Sequence, residues 1–339
     1  MSAWKVYYDG NFWGHHGRDH AGREIRIDKW FMWADRQWWI PAAYSCGKGL
    51  VMDFCMRIEA EQIQAFIKRW NLSAENDSCE CFTKDQQMEM ERENPLNLDF
   101  TPQLEANGKK LRMKHGCAIC YNLCLPEGTR NEREAERAAD HYHLDTAYGW
   151  VIYRYAFPWK SGRRSEISSL LLTMIQRPAA LPGAIFSAKR EGDKVSFTHP
   201  VSGEEYVLTV LEIRQQTLPL SSTFGSERWE YPSHFCTMRY TLCPEIPESE
   251  LSIIDSAECD QPRPKEGTHD ECQPGASSGV TAVGMIGGAD GPTTIIISAK
   301  NEEKSRIASS ALHYAPVTEV EWRMIFREKP YDETSVKLF

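Results

Sequence analysis

The period of the apolar positions changes several times along the chain, and each change marks a boundary between predicted elements. Leu50, Met52, Phe54, Met56 and Ile58 alternate with Val51, Asp53, Cys55 and Arg57, a period of two that predicts a half-buried strand. Ile63, Phe66, Ile67 and Trp70 then recur at helical spacing, so an amphipathic helix follows directly. Residues 4–8 and 30–40 are aromatic and apolar enough to read as strands. From Ser73 to Asn97 the chain is polar, and only a surface helix is expected there. Glu132–His143 predicts a helix with Ala135, Ala138, Ala139 and Tyr142 on one face and Glu/Arg pairs on the other. The strand-like run WVIYRYAF comes next. Ile167, Leu170, Leu171, Met174 and Ile175 predict a helix over Glu166–Gln176, stopped by Pro178.

Beyond residue 180 the pattern is one of short strands and turns. The run AIFSAKREGDKVSFTHPVSGEEYVLTVLEIRQQTL reads as three strands joined by Glu-Gly-Asp and Ser-Gly turns. HFCTMRYTLC, LSIIDSA, TTIIISAK and EVEWRMIFRE are further strand candidates, at a spacing typical of antiparallel sandwiches. Residues 259–279 are rich in Pro, Gly, Ser and charge and read as an exposed loop or linker. The expected fold class is α+β: a mixed strand and helix part over residues 1–180 and a mostly antiparallel β, sandwich-like part over 181–339.

The 339 residues suffice for two domains with sizeable cores. A formal charge of −9 argues against nucleic acid as a partner, because phosphate binding needs a basic face. No apolar run reaches the roughly 20 residues of a membrane helix, and the Met-Ser-Ala-Trp-Lys start lacks the layout of a signal peptide. The eleven cysteines, in the absence of a secretion signal, read as reduced thiols. These features together lead to the expectation of a soluble cytoplasmic protein.

Three groups of residues carry candidate chemistry. Seven of the eleven tryptophans fall in the first 70 residues, and Trp30, Trp33, Trp38 and Trp39 form a candidate ligand surface. Trp38 and Trp39 are consecutive, so a strand points them to opposite faces. In KHGCAICYNLC, His115, Cys117, Cys120 and Cys124 fall within ten residues. A C-x-x-C pair with a further thiolate or imidazole can hold zinc, with Cys79 and Cys81 as distant candidates. The neighbouring Lys110, Arg112 and Lys114 would equally favour a reactive thiolate, and the same cysteines fit a buried strand. Two histidine groups, His15, His16, Asp19 and His20, and Asp140, His141, His143 and Asp145, pair imidazole with carboxylate as acid–base sites do.

The stretch GMIGGADGPTTIIIS, Gly284–Ser298, is rich in glycine but leads into β-branched residues. A strand after the glycines is incompatible with a phosphate-binding loop, which opens a helix. Its segment IGGADGPT resembles the glycine-rich motif of the β-subunit of sodium-translocating decarboxylases. By that resemblance Asp290 matches an intramembrane aspartate implicated in sodium binding. The resemblance covers about fifteen of the 339 residues, and the remainder of the chain lacks that family's membrane helices.

The functional expectation is a non-catalytic binding or interaction protein, with a small molecule or a protein as its partner. The alternative is a metal- or thiol-dependent enzyme built on Cys117, Cys120 and Cys124. The sequence carries no H-E-x-x-H or EF-hand loop.

Overall fold

The computed structural model describes residues 4–15, 17–72, 82–125, 129–160, 166–218, 229–264 and 305–339. The chain divides into two compact units, Met1–Ala179 with Lys329–Phe339, and Ala180–Glu328.

In the first unit, β1 (Arg23–Trp33), β2 (Arg36–Ser45), β3 (Gly49–Ile58), β7 (Gly149–Pro158) and β6 (His115–Tyr121) form an antiparallel sheet in the order β1-β2-β3-β7-β6. A second sheet orders β18 (Thr334–Lys337), β8 (Leu170–Gln176), β4 (Phe100–Ala106) and β5 (Lys109–Arg112). The two sheets share one core. Trp38, Leu50, Met52, Phe54 and Phe157 from the first cluster with Leu104, Leu170, Leu172 and Met174 from the second. Phe100 sits among these aromatic rings, edge-on to Trp38 at 5.1 Å and to Tyr153 at 5.0 Å.

The opposite face of the five-stranded sheet is covered as well. Helix α3 (Arg133–Tyr142) buries Ala135, Ala138, Ala139 and Tyr142, as its 3.6-residue spacing predicts. The segment ahead of β1 adds Val6 and Tyr8, packed with Tyr44, Val51 and Ala156. Residues 4–8, expected as a strand, lie outside the named strands but are tied to the fold where Gly22 N–H donates to the Val6 carbonyl at 2.8 Å. Strand β3 is therefore buried on both faces rather than half-buried, with Arg57 its one intermediate residue. Gly49 opens this strand because an added Cβ would overlap the Phe157 carbonyl and the Tyr8 ring.

Two further helices complete the unit. α1 (Ala60–Trp70) forms where the helical period appears and buries Ile63. α2 (Lys84–Glu93) buries nothing and starts with a Thr83–Gln86 capping box, the surface helix expected of that polar stretch.

In the second unit, β10 (Lys194–Thr198), β11 (Glu205–Thr217), β13 (His234–Cys243) and β16 (Arg306–Ser309) pair in that order. A three-stranded sheet sets β17 (Glu321–Glu328) between β14 (Leu251–Asp255) and β9 (Ala179–Ser187). Leu208, Val210, Met238 and Tyr240 from the first sheet and Ile253, Trp322, Met324 and Phe326 from the second build one core. The short strands β12 (Trp229–Glu230) and β15 (Arg263–Pro264) pair separately. TTIIISAK, the stretch 265–279 of the expected linker, and Asp290 lie outside the described residues.

The α+β expectation is corrected by these sheets. Among the described residues strand accounts for 48% and helix for 12%, in five sheets and three helices, so the fold is mainly β and antiparallel. The decisive misreading is Glu166–Gln176. Leu170, Leu172, Met174 and Gln176 point inward in alternation, and β8 pairs Leu172 with Leu104 on one side and with Val336 on the other. A short run of apolar residues satisfies both periods locally, and only the neighbouring strands choose between them. No helix among the described residues is long and apolar enough to cross a membrane.

A charged pair lies inside the α3-covered face. Asp53 of β3 and Arg154 of β7 are register partners, at 0% and 4% exposure. Arg154 donates to both carboxylate oxygens, Nε to Oδ1 at 2.8 Å and a terminal nitrogen to Oδ2 at 2.6 Å. Tyr142 Oη also donates to Asp53 Oδ2 at 2.6 Å. Its single proton is thereby used, so Tyr44 is the donor in the 2.7 Å contact between the two hydroxyls. Trp4 Nε1 donates in turn to Tyr44 Oη at 3.1 Å. Burial opposes the Arg154 charge, but Asp53 more than offsets it and holds the guanidinium above its usual range.

Replacing Asp53 with Ala leaves Arg154 charged and buried, with an expected cost of about 3–5 kcal/mol in urea unfolding. Asp53→Leu combined with Arg154→Met removes both charges and is expected to recover most of that loss; equal destabilisation of the single and double variants would contradict the coupling. Gly49→Ala is expected to destabilise through overlap with Tyr8 and Phe157, as a lowered thermal midpoint reports.

Candidate functional site

The four candidate tryptophans separate by strand parity. Trp33 and Trp38 point into the inter-sheet core, at 6% and 0% exposure. Their indole nitrogens are satisfied internally, Trp33 Nε1 by the Asp332 carbonyl at 2.7 Å and Trp38 Nε1 by the Trp33 carbonyl at 3.1 Å. These two serve the core. Trp30 and Trp39, register partners on β1 and β2, lie on the other face and stack at 5.4 Å with ring planes 15° apart. Trp30 is 43% exposed.

Parity places further groups beside this pair. Met32, 65% exposed, faces Gln37, and Gln37 faces Arg57 of β3, whose partner is Trp150 of β7. Trp150 lies edge-on beneath Trp30 at 6.3 Å. Arg57 covers the Tyr148 ring at 4.1 Å and pairs with Glu59 at 3.1 Å. Trp39 Nε1 donates to Asp28 Oδ1 at 2.9 Å. Asp28 is the residue with φ of 54° where the β1–β2 register shifts, so a bulge aims its carboxylate at the indole. Gln37 Oε1 is a buried acceptor with no hydrogen bond among the described residues. Together these groups make an aromatic platform with a thioether, an unpaired amide oxygen and a guanidinium at its edge. The sequence reading missed Met32, Gln37 and Arg57, although the period of two along β1 to β3 carries the signal once the register is known.

The cysteine group does not converge. Cys117 and Cys120 are three apart in strand β6, so they point to opposite faces, and two sulfurs so placed cannot share a metal. Cys117 faces Arg154 and packs with the cluster under α3. His115 shares that face, with Nε2 at 3.9 Å from Asp9 Oδ1. Cys124 lies past the strand, its thiol at 3.8 Å from the Ala60 carbonyl. A C-x-x-C pair needs a turn to bring its sulfurs together, and β6 is extended throughout. No group of three or more potential metal ligands forms among the described residues; Cys79 and Cys81 lie outside them. Burial raises the Cys117 thiol. Burial, with the Glu132 carboxylate second, pushes Cys120 up to about 11, although part of that residue borders solvent. Both are the reverse of an activated thiolate.

The histidine groups are dispersed too. His15 stacks on Tyr7 at 4.1 Å, whereas Asp19 accepts from Lys48 at 2.6 Å, and Lys48 also reaches Asp9 at 2.6 Å. His20 is exposed, and His16 lies outside the described residues. His141 stacks on Trp4 at 4.6 Å, and burial lowers its affinity for a proton. His141 and Asp145, four residues apart, do not share a helical face. α3 ends at Tyr142, His143 takes the left-handed conformation at φ 52°, and Asp145 instead accepts from Ala147 N–H at 2.9 Å.

A thiol with its pKa near 11 is about one part in ten thousand thiolate at pH 7, and that fraction grows about tenfold per pH unit. Iodoacetamide labelling of Cys120, read by peptide mass spectrometry, is expected to keep rising from pH 7 to pH 9, whereas a plateau by pH 8.5 would mark an activated thiol. Compared with known proteins, the chain matches no family model, no curated protein and no solved structure.

Proposed function

We propose that this chain is a non-catalytic, cytoplasmic binding protein, and that the Trp30–Trp39 platform is its contact surface. The observation that carries this reading is the stacked indole pair left 43% exposed at Trp30, beside the 65% exposed Met32, on a sheet whose other aromatic side chains are largely packed away. Exposed Trp and Met beside Arg is the composition from which binding hot spots are built. A partner presenting a flat aromatic or apolar group suits this surface, because the stacked rings offer a rigid face at little entropic cost. The separation of Cys117, Cys120 and Cys124 supports a binding role over a thiol- or zinc-dependent reaction. Whether the Asp290 motif adds a sodium-linked role is a separate proposal that rests on its sequence resemblance alone.

Anilinonaphthalene sulfonate, a flat aromatic fluorophore, is the first probe. The native protein is expected to bind it, and Trp30→Ala combined with Met32→Ser to weaken that binding by about tenfold or more without shifting the thermal midpoint. Unchanged dye affinity in that variant would sink the assignment.

A further inference from the structure

The second unit holds a hollow of about 810 Å³ that the aromatic platform does not involve. Its floor is apolar. Ile213 of β11, Cys236 of β13, Val317 and Trp322 line it, and Trp322 is 1% exposed. Burial, with Asp255 second, raises the Cys236 thiol, so that side chain stays neutral and belongs to the floor.

The rim is acidic. Asp255, Asp260, Glu319 and Glu321 border the hollow against a single lysine, Lys189, which Glu319 already holds at 3.2 Å. Asp255 and Asp260 are positioned by backbone. Asp255 accepts from Ala257 N–H at 2.9 Å and from Ala311 N–H at 3.1 Å, and Asp260 from Tyr314 N–H at 2.8 Å. Such bonds fix where the negative charge sits without neutralising it. His313 Nδ1 lies 3.5 Å from Asp260 Oδ2, close enough to orient that carboxylate. Glu321 makes no ion pair among the described residues. An adjoining hollow of about 570 Å³ continues over Ile213, Cys236 and Val317. It is charge-balanced, since Arg190 pairs with Asp193 at 3.4 Å and Glu212 with Arg214 at 2.6 Å. The uncompensated charge is thus confined to one end of a concave, apolar-floored site.

We infer that this hollow binds an organic monoamine with an apolar body, its ammonium against Asp255 and Asp260 and its body over Ile213, Cys236 and Val317. A volume of this size lies within the range of small-molecule sites, which combine apolar walls with a few placed polar groups. An anionic ligand would meet four carboxylates. A neutral apolar one would leave their field unused, and a bare metal ion finds no triad of ligands among the described residues.

Titration calorimetry on the full chain tests this with phenethylamine and two matched probes, phenylethanol and phenylpropionate. Phenethylamine is expected to saturate at one site, phenylethanol to bind about tenfold more weakly, and phenylpropionate not to bind. Rising sodium chloride is expected to weaken the amine, because the carboxylates stand at a solvent-facing rim. Asp260→Asn is expected to cost at least about tenfold. Because Asp260 also holds the Tyr314 amide, Glu321→Gln serves as the variant without a structural contact, with an expected loss of about threefold. Trp30→Ala is expected to leave the amine affinity unchanged, which separates this site from the aromatic platform. Equal affinity for amine and acid, indifference to both carboxylate variants, or loss of amine binding in Trp30→Ala would each overturn the inference.

Discussion

Asp53 and Arg154 face each other across β3 and β7 with no access to water, and the first unit is arranged around keeping that pair complete. A buried ion pair is a poor source of net stability, since desolvation of both charges roughly cancels their attraction. What it supplies is intolerance of error. Slipping β3 by one residue against β7 would turn Asp53 toward the inter-sheet core and leave Arg154 buried on the α3-covered face without its partner. The pair also recruits its own cover. Tyr142 brings α3 to the sheet, Tyr44 extends the hydrogen-bonded chain to β2, and Trp4 ties down the segment ahead of β1. The guanidinium then lies 4.2 Å from the Phe12 ring centroid and 5.3 Å from that of Trp4, where aromatic faces favour a cation.

With that face sealed over β3 and β7, the aromatic surplus of the N-terminal region divides by parity. Tryptophans pointing into the sandwich are consumed as core, and their indole N–H groups find carbonyl partners. Those pointing the other way remain as a stacked pair bordering solvent, with Trp39 edge-on to Tyr142 of α3 and Trp30 43% exposed. The same alternation that builds the core thus leaves the platform, and it explains why Trp38 and Trp39, adjacent in the chain, have opposite roles. The second unit repeats the principle with a different result. Its two sheets close over Met238, Met324 and Phe326, and the hollow lies beside Trp322 and the run that leads into β17.

Much of this was legible one element at a time. The period of two in β3, the helical spacing of α1 and α3, and the turn residues around β10 and β11 are local properties, and they specify local structure directly. The opposite orientation of Trp38 and Trp39 followed from strand geometry alone. The Leu170–Gln176 run was not legible, because its apolar residues satisfy two periods and the partners that decide, Leu104 and Val336, are distant in the chain. Nor was the status of KHGCAICYNLC. The spacing of its cysteines suits a metal on a turn and a core on a strand; pairing with β7 makes the segment extended, with Cys117 half-buried on one face and Cys120 exposed on the other.

The sequence by itself determined which segments alternate, which wind, and which residues carry charge or aromatic surface, because these depend on neighbours a few positions away. Tertiary structure alone decided which carboxylates are buried and which converge. Asp53 reads as an ordinary polar position of an alternating strand until Arg154, about a hundred residues later, is set opposite it. Asp255 and Asp260 become the rim of a site only when the run before β17 is folded against them. Burial and convergence are long-range properties: they depend on chain ends meeting across a sheet, and no window of local pattern contains both partners.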